Sequence, residues 1–302
     1  MRRWIAVAAA AGSAVADRPM TWLPGALAWL CTIGWLPFVI GVAQPPSVSD
    51  LTFLGARFYG SALWPWNLVL LAAGVTALTA TAFTLAAVAE ATLLDMLAGT
   101  RRRLSTAWRM LGIGSVLAIP TAVMLLVLAL ALVNVAPEEF SSPDRGAGPI
   151  IRTLVAVAPI LVLLAAVVTL ASAFHAAAVR LVHHRGADVG EALEGSARLL
   201  RSAGAPALVQ LVVATLARVA LVVVAAVLLR VLWAPVGELL AIGERDALTI
   251  GLLVGFVAIW LCLVLVAGAL HAWGSAAWSI LLTGPATGRE AERTRQETPL
   301  DR

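Results

Sequence analysis

The chain has 302 residues, of which 61% are hydrophobic and only 13% charged, and its mean hydropathy is +0.94. That leaves too little polar surface to cover a soluble globule of this length, so the composition excludes a water-soluble domain and indicates an integral protein of the lipid bilayer. The net charge is +4, all 21 basic residues are arginine, and their placement ties that charge to membrane orientation; no nucleic acid is expected as a partner.

The chain opens with Arg2 and Arg3, an apolar run from Trp4 to Ala11, and the small residues Ala14, Val15 and Ala16. This is the layout of a secretory leader with its cleavage site. Cleavage there would place the new terminus outside and set most of the arginines against the positive-inside rule. Residues 1–21 are therefore expected to stay as an interfacial segment on the cytoplasmic face.

A spanning helix needs about 20 apolar residues to cross a hydrocarbon core of roughly 30 Å. Six segments qualify, at about 22–42, 66–94, 108–135, 150–182, 205–233 and 247–282. They make 22–287 an all-α domain of six transmembrane helices. Pro120 is expected to kink the third span, and Gly251 with Gly255 forms a GxxxG that lets another helix approach the sixth. Trp22, Trp64, Trp66, Trp108 and Trp233 lie near span ends and suit an aromatic belt. Cys31 and Cys262 fall within spans and read as small apolar side chains. The tail at 288–302 is charged and alternates in sign, so it is expected to be disordered.

Fifteen arginines gather on alternate joints: Arg2, Arg3 and Arg18; Arg101, Arg102, Arg103 and Arg109; Arg180, Arg185, Arg198 and Arg201; Arg289, Arg293, Arg295 and Arg302. The other joints hold five, Arg57, Arg145, Arg152, Arg230 and Arg245, beside the acids Asp50, Glu138, Glu139, Asp144, Glu238, Glu244 and Asp246. Lys and Arg near span ends are retained inside. A multi-pass protein of the bacterial cytoplasmic membrane with both termini cytoplasmic is the expectation, with anionic headgroups as partners of the basic joints.

The spans form three hairpins of similar plan, each a basic interfacial segment, an outward span, an external loop and an inward span. The best internal match sets Arg103-Leu104-Ser105-Thr106-Ala107-Trp108-Arg109-Met110-Leu111 beside Ala192-Leu193-Glu194-Gly195-Ser196-Ala197-Arg198-Leu199-Leu200. Asp188 and Glu191 make a helix start of the capping-box kind. From Asp188 to Arg201, apolar residues at helical spacing predict an amphipathic cytoplasmic interfacial helix. It would anchor the bundle or dock a cytoplasmic partner. The even spans each carry one ionisable residue before an alanine, namely Glu90, His175 and His271. Small residues three and four places earlier (Ala86 and Ala87, Ala171 and Ser172, Ala267 and Gly268) mark faces that pack on protein.

On the segments at 104–111 and 192–200 and on this layout, the chain from about 22 to 282 resembles a bacterial six-helix membrane domain. That domain occurs alone in many uncharacterised proteins and fused to some glycerophosphodiester phosphodiesterases. No phosphodiesterase catalytic domain is present, so the resemblance implies a fold and carries over no hydrolase residues.

Arg218 is the one arginine that topology does not explain. It lies near the middle of the fifth span, where insertion costs at least ~2.5 kcal/mol, so a partner or a polar cavity must offset it. Glu90 and threonines of neighbouring spans are candidate partners. A site for an anion or headgroup lined by Arg218, Gln210 and Thr215 is the functional reading, and an internal salt bridge is the structural one. Glu90, His175 and His271 form a second polar set, with the residue types of a facial divalent-metal site or of residues that mark where the bilayer ends. No cofactor is expected.

The chain lacks a nucleophile elbow, phosphate loop or acid pair. The leading functional expectation is a non-enzymatic polytopic protein, a transporter-like subunit or scaffold that handles lipid or a partner protein. The alternatives are the permease subunit of an ATP-driven transporter and a metal-dependent membrane enzyme.

Overall fold

The computed structural model describes residues 2–43, 48–100, 104–141, 148–243 and 246–283, and every regular element among them is helical. Lipid offers no hydrogen bonds to the backbone, so a spanning segment must close its own. Ten α-helices follow in order: α1 (Arg2–Ala16), α2 (Trp22–Trp29), α3 (Leu36–Val42), α4 (Val48–Tyr59), α5 (Trp66–Ala98), α6 (Leu104–Ser141), α7 (Pro149–Arg185), α8 (Val189–Ala203), α9 (Ala205–Ile242) and α10 (Ala247–Thr283). Five of them, α5, α6, α7, α9 and α10, are long and apolar enough to cross a membrane, and α2 with α3 makes a sixth if that bent pair is one span. Large apolar side chains stay exposed along the spans, among them Leu78 at 73% and Val133 at 71%. Water does not tolerate apolar surface on this scale. The architecture is that of a multi-pass membrane protein. The tail at 288–302 and Arg101, Arg102, Arg103, Asp144, Arg145, Glu244 and Arg245 lie outside the described residues.

The first span departs from the continuous helix expected at 22–42. A π turn at Leu30–Gly34 separates α2 from α3, and the chain bends there by 57°. Pro37 has no N–H to continue the ladder into the first turn of α3. Gly34 lets the Trp29 indole lie against the backbone, since a Cβ there would come within 2.6 Å of Trp29 Cζ3. Polar side chains take up the carbonyls around the break: Thr32 Oγ1 donates to Ala28 and Trp29, and Trp35 Nε1 to Thr32, all at 3.0 Å. The stretch that follows contains a further helix, α4. Its end is tied to the start of α5 by Asn67, whose Nδ2 donates to the Phe58 carbonyl at 2.7 Å. The rings of Phe58, Tyr59 and Trp64 cluster beside it.

Helix α6 continues through Pro120 without a break. The GxxxG expectation needs correction, because among the described residues a Cβ on Gly251 or Gly255 would meet nothing within 4 Å. The close approach on α10 lies at Gly268, where a Cβ would stand 2.7 Å from Ala26 N, with the Trp22 carbonyl and Gly25 also against it. Small residues form a seam only where a second helix arrives, and α2 arrives there. Around it Ala26, Trp29, Val264 and Ala267 form a buried apolar cluster, flanked by Leu221 and Trp260.

Two compact units result. Met1–Trp108 with Val212–Ala277 forms the first, and Arg109–Leu211 with Trp278–Arg302 the second. In the first, α2 packs on α5. There α1 buries Val7, Ala11 and Val15, and Trp273 Nε1 donates to the Ala8 carbonyl at 3.1 Å. In the second, α8 starts with a complete capping box: Glu191 N donates to Asp188 Oδ1 at 2.8 Å and Asp188 N to Glu191 Oε2 at 3.4 Å. Helix α8 packs against α7 while Glu191, Glu194, Arg198 and Arg201 stay exposed.

Candidate functional site

Within the first unit, three helices bring polar groups together inside apolar spans. Helix α5 carries Glu90 about 12 Å of helix before its last residue, and Glu90 is only 9% exposed. Helix α10 carries His271 and Ser275, which share a face because they stand one turn apart. Ser275 Oγ donates to Glu90 Oε1 at 2.7 Å, and His271 Nε2 lies 2.9 Å from Glu90 Oε2. Both carboxylate oxygens are thus engaged. Hydrogen bonds to a charged group contribute roughly 1.5–3 kcal/mol each, so this pair fastens α5 to α10. Arg218 on α9 is partly buried and lies within electrostatic reach of Glu90.

Among the described residues, these contacts bring a carboxylate, a guanidinium and an imidazole into one region of the first unit. Thr215 stands nearly one turn before Arg218 on the same helix, also partly buried, whereas fully buried Gln210 belongs to the second unit. His175 is in the second unit as well, on α7, where a Cβ on Gly114 of α6 would come within 3.9 Å of its Cε1. Among the described residues, no group of three or more His, Cys, Asp or Glu side chains is placed to hold a metal ion.

Several polar residues escaped the sequence reading. Ser275 was legible as the residue four places after His271. Arg180 had been counted with the basic joints, yet α7 runs on to Arg185 and leaves Arg180 3% exposed. Its Nη1 donates to the Ala176 carbonyl at 3.1 Å and its Nε to Ser279 Oγ at 3.4 Å.

Two topological arginines also have bonding roles. Arg18 Nη1 donates to the carbonyls of Met96 and Leu97, both at 2.7 Å, where α5 ends at Gly99 with φ +66°. Arg109 Nη1 donates to the carbonyls of Gly186 and Ala187, where α7 ends at Gly186 with φ +68°. The last carbonyls of a helix have no partner within it and carry the negative end of its dipole, so a guanidinium suits those of Met96 and Leu97 in α5, and, just past the end of α7, it suits those of Gly186 and Ala187. Comparison of the chain with protein-family models, curated proteins and solved structures returns no match.

Proposed function

We propose that the chain is a non-enzymatic polytopic membrane protein, a transporter-like subunit or scaffold, that handles an oxyanion such as the phosphodiester of a lipid headgroup at Arg218. In this reading it sits in the bacterial cytoplasmic membrane with both termini cytoplasmic. The six-helix bacterial domain that the segments at 104–111 and 192–200 resemble, with its three repeated hairpins, supplies the frame.

The observation that carries the reading is a guanidinium inside a spanning helix whose nearby carboxylate already has both oxygens engaged. Arg has five N–H donors in a fork that matches carboxylate and phosphate oxygens. Glu90 lies within electrostatic reach and offsets part of the charge of Arg218. Thr215 adds a hydroxyl beside it on α9.

Lipid retained by the full chain tests this. Wild type extracted with its native lipids is expected to be enriched in phosphatidylglycerol over the bulk membrane, and Arg218→Gln and Arg218→Leu to lose the enrichment. If both variants fold and keep the wild-type lipid profile, the reading fails. Thermal protection by inorganic phosphate without lipid enrichment would assign the site to a free anion.

A further inference from the structure

Helix α4 has 12 residues, about 18 Å of helix. That is too short to cross a hydrocarbon core of roughly 30 Å. A helix of this length is also marginal when surrounded by water, so it needs a surface to lie against. Its described side chains leave much apolar area uncovered, since Phe53 is 69% exposed and Leu54 and Tyr59 are 66% exposed each.

The chain beside it fixes its depth. From Trp66 to Ala89, α5 runs for about 36 Å without a charged residue. That length lies between the roughly 30 Å of the hydrocarbon core and the ~40–45 Å that includes the headgroups, so the first turn of α5 stands at a membrane interface. Asn67 in that turn holds the end of α4, its Nδ2 donating to the Phe58 carbonyl at 2.7 Å and to Ser61 Oγ at 3.1 Å. Exposed apolar surface is continuous across the joint: Leu63, Trp64 and Trp66 lead from the end of α4 to Leu68 and Val69 on the exposed flank of α5. The Tyr59 and Trp64 rings, 4.7 Å apart, are of the types that favour this depth, with an apolar body and a polar tip.

The uncovered side of α4 suits the same depth. Phe53 and Leu54 stand four and three places before exposed Arg57, so the three share one side of the helix. An apolar pair beside a guanidinium fits a phospholipid, because the ring and the isobutyl group can enter the acyl region while the Arg stem reaches up to the phosphate. Ala56, two places on from Leu54, stands on the far side of the helix.

We propose that α4 is a phospholipid-binding surface that lies along the membrane interface at the start of α5, with Phe53, Leu54 and Trp64 against acyl chains and Arg57 at the phosphates. Lipid is the occupant because the apolar surface of α4 continues into the lipid-exposed flank of α5 and Asn67 keeps the two at one depth. The assignment is independent of the oxyanion reading of Arg218.

The test uses the full chain with Cys31→Ala and Cys262→Ala, which removes both cysteines, in nanodiscs of phosphatidylcholine and phosphatidylglycerol. A nitroxide label is placed on Leu54→Cys or on Ala56→Cys. Collisions with oxygen, which concentrates among acyl chains, and with a water-soluble nickel chelate read what each label meets. The expected result is a several-fold excess of oxygen over nickel collisions at Leu54 and the reverse at Ala56. Equal nickel access at both positions would overturn the proposal by placing α4 in water. A Leu54 label shielded from both reagents would overturn it as well, because protein, a second copy included, then covers the surface.

Should the cysteine-free chain fail to fold, hydrogen exchange decides. Phe53→Glu combined with Leu54→Glu in the otherwise native chain should drive α4 off the bilayer, quicken exchange across it by about tenfold or more and leave α5 unchanged. Exchange in α4 as slow as in the wild type would overturn the proposal.

Discussion

Helices α5 and α7 end alike and differ a few turns behind their ends. Each closes on a glycine in the left-handed region, Gly99 or Gly186, and each has carbonyls there bonded by an arginine at or before the start of the preceding span, Arg18 or Arg109. Deeper in, α5 offers Glu90, held by His271 and Ser275, while α7 offers His175 and then Arg180, bonded to Ala176 and Ser279. A helix end needs partners for its last carbonyls wherever it occurs, so the arginine cap recurs. Among the described residues, a bonded acid, imidazole and hydroxyl stand behind the end of α5, where α7 carries an arginine bonded to a carbonyl and a hydroxyl. That asymmetry singles out the Glu90 layer as the functional candidate.

The largest expected effect comes from removing the hub of that layer. Glu90→Ala strands the partners on α10 and leaves Arg218 without its nearby carboxylate, at a cost of about 3–5 kcal/mol in unfolding from mixed micelles. A loss below ~1 kcal/mol would break the comparison by showing that the layer fastens nothing. Gly268→Val, which drives a branched side chain into Trp22 and Ala26 of α2, should cost about 1–3 kcal/mol. Gly251→Val and Gly255→Val should change the same melting curve little.

Asp188→Ala removes the cap of α8 and should cost about 1 kcal/mol, seen as faster hydrogen exchange in its first turn. Arg18→Gln and Arg109→Gln should each cost about 0.5–1 kcal/mol and speed exchange in the last turn of α5 and of α7 respectively. Similar losses would sharpen the parallel between the two ends, and a loss in only one would dissolve it.

The smallest effect is a pH response at the start of α10. The Thr249 backbone N–H and hydroxyl, donating to Asp246 Oδ1 at 2.9 and 2.8 Å, hold the Asp246 carboxyl below its usual value of 3.8. A depressed folded value means the contribution is fully present above 3.8 and is lost as pH falls below it. Hydrogen exchange in the first turn of α10 should therefore quicken on strong acidification in wild type, and Asp246→Asn should remove that response.

The long spans were legible because hydropathy over some twenty residues outweighs local detail, and the start of α8 because Asp188 and Glu191 announce a capping box three residues apart. The break in the first span was not read, although Gly34 and Pro37 are its local signals, because the run at 22–42 is apolar throughout and length alone favoured one helix. The GxxxG at Gly251 and Gly255 misled because a small-residue pattern says that a helix can approach, not that one does. At Gly268 the same chemistry has α2 as its partner. Glu90 and His271 were visible as polar residues in apolar spans, whereas their bond to each other depends on how α5 and α10 are set side by side, which no spacing along the chain encodes.

The Glu90–His271 contact joins residues 181 positions apart, and the whole stretch Arg109–Leu211 of the other unit is made between them. At a synthesis rate of about 5–20 residues per second, Glu90 waits roughly 10–40 s in the membrane before His271 and Ser275 leave the ribosome. During biogenesis its carboxyl must be carried without its final partners, neutralised by a proton or held by a transient companion. The order of translation therefore leaves the first unit incomplete until the stretch Arg109–Leu211 of the other has been made.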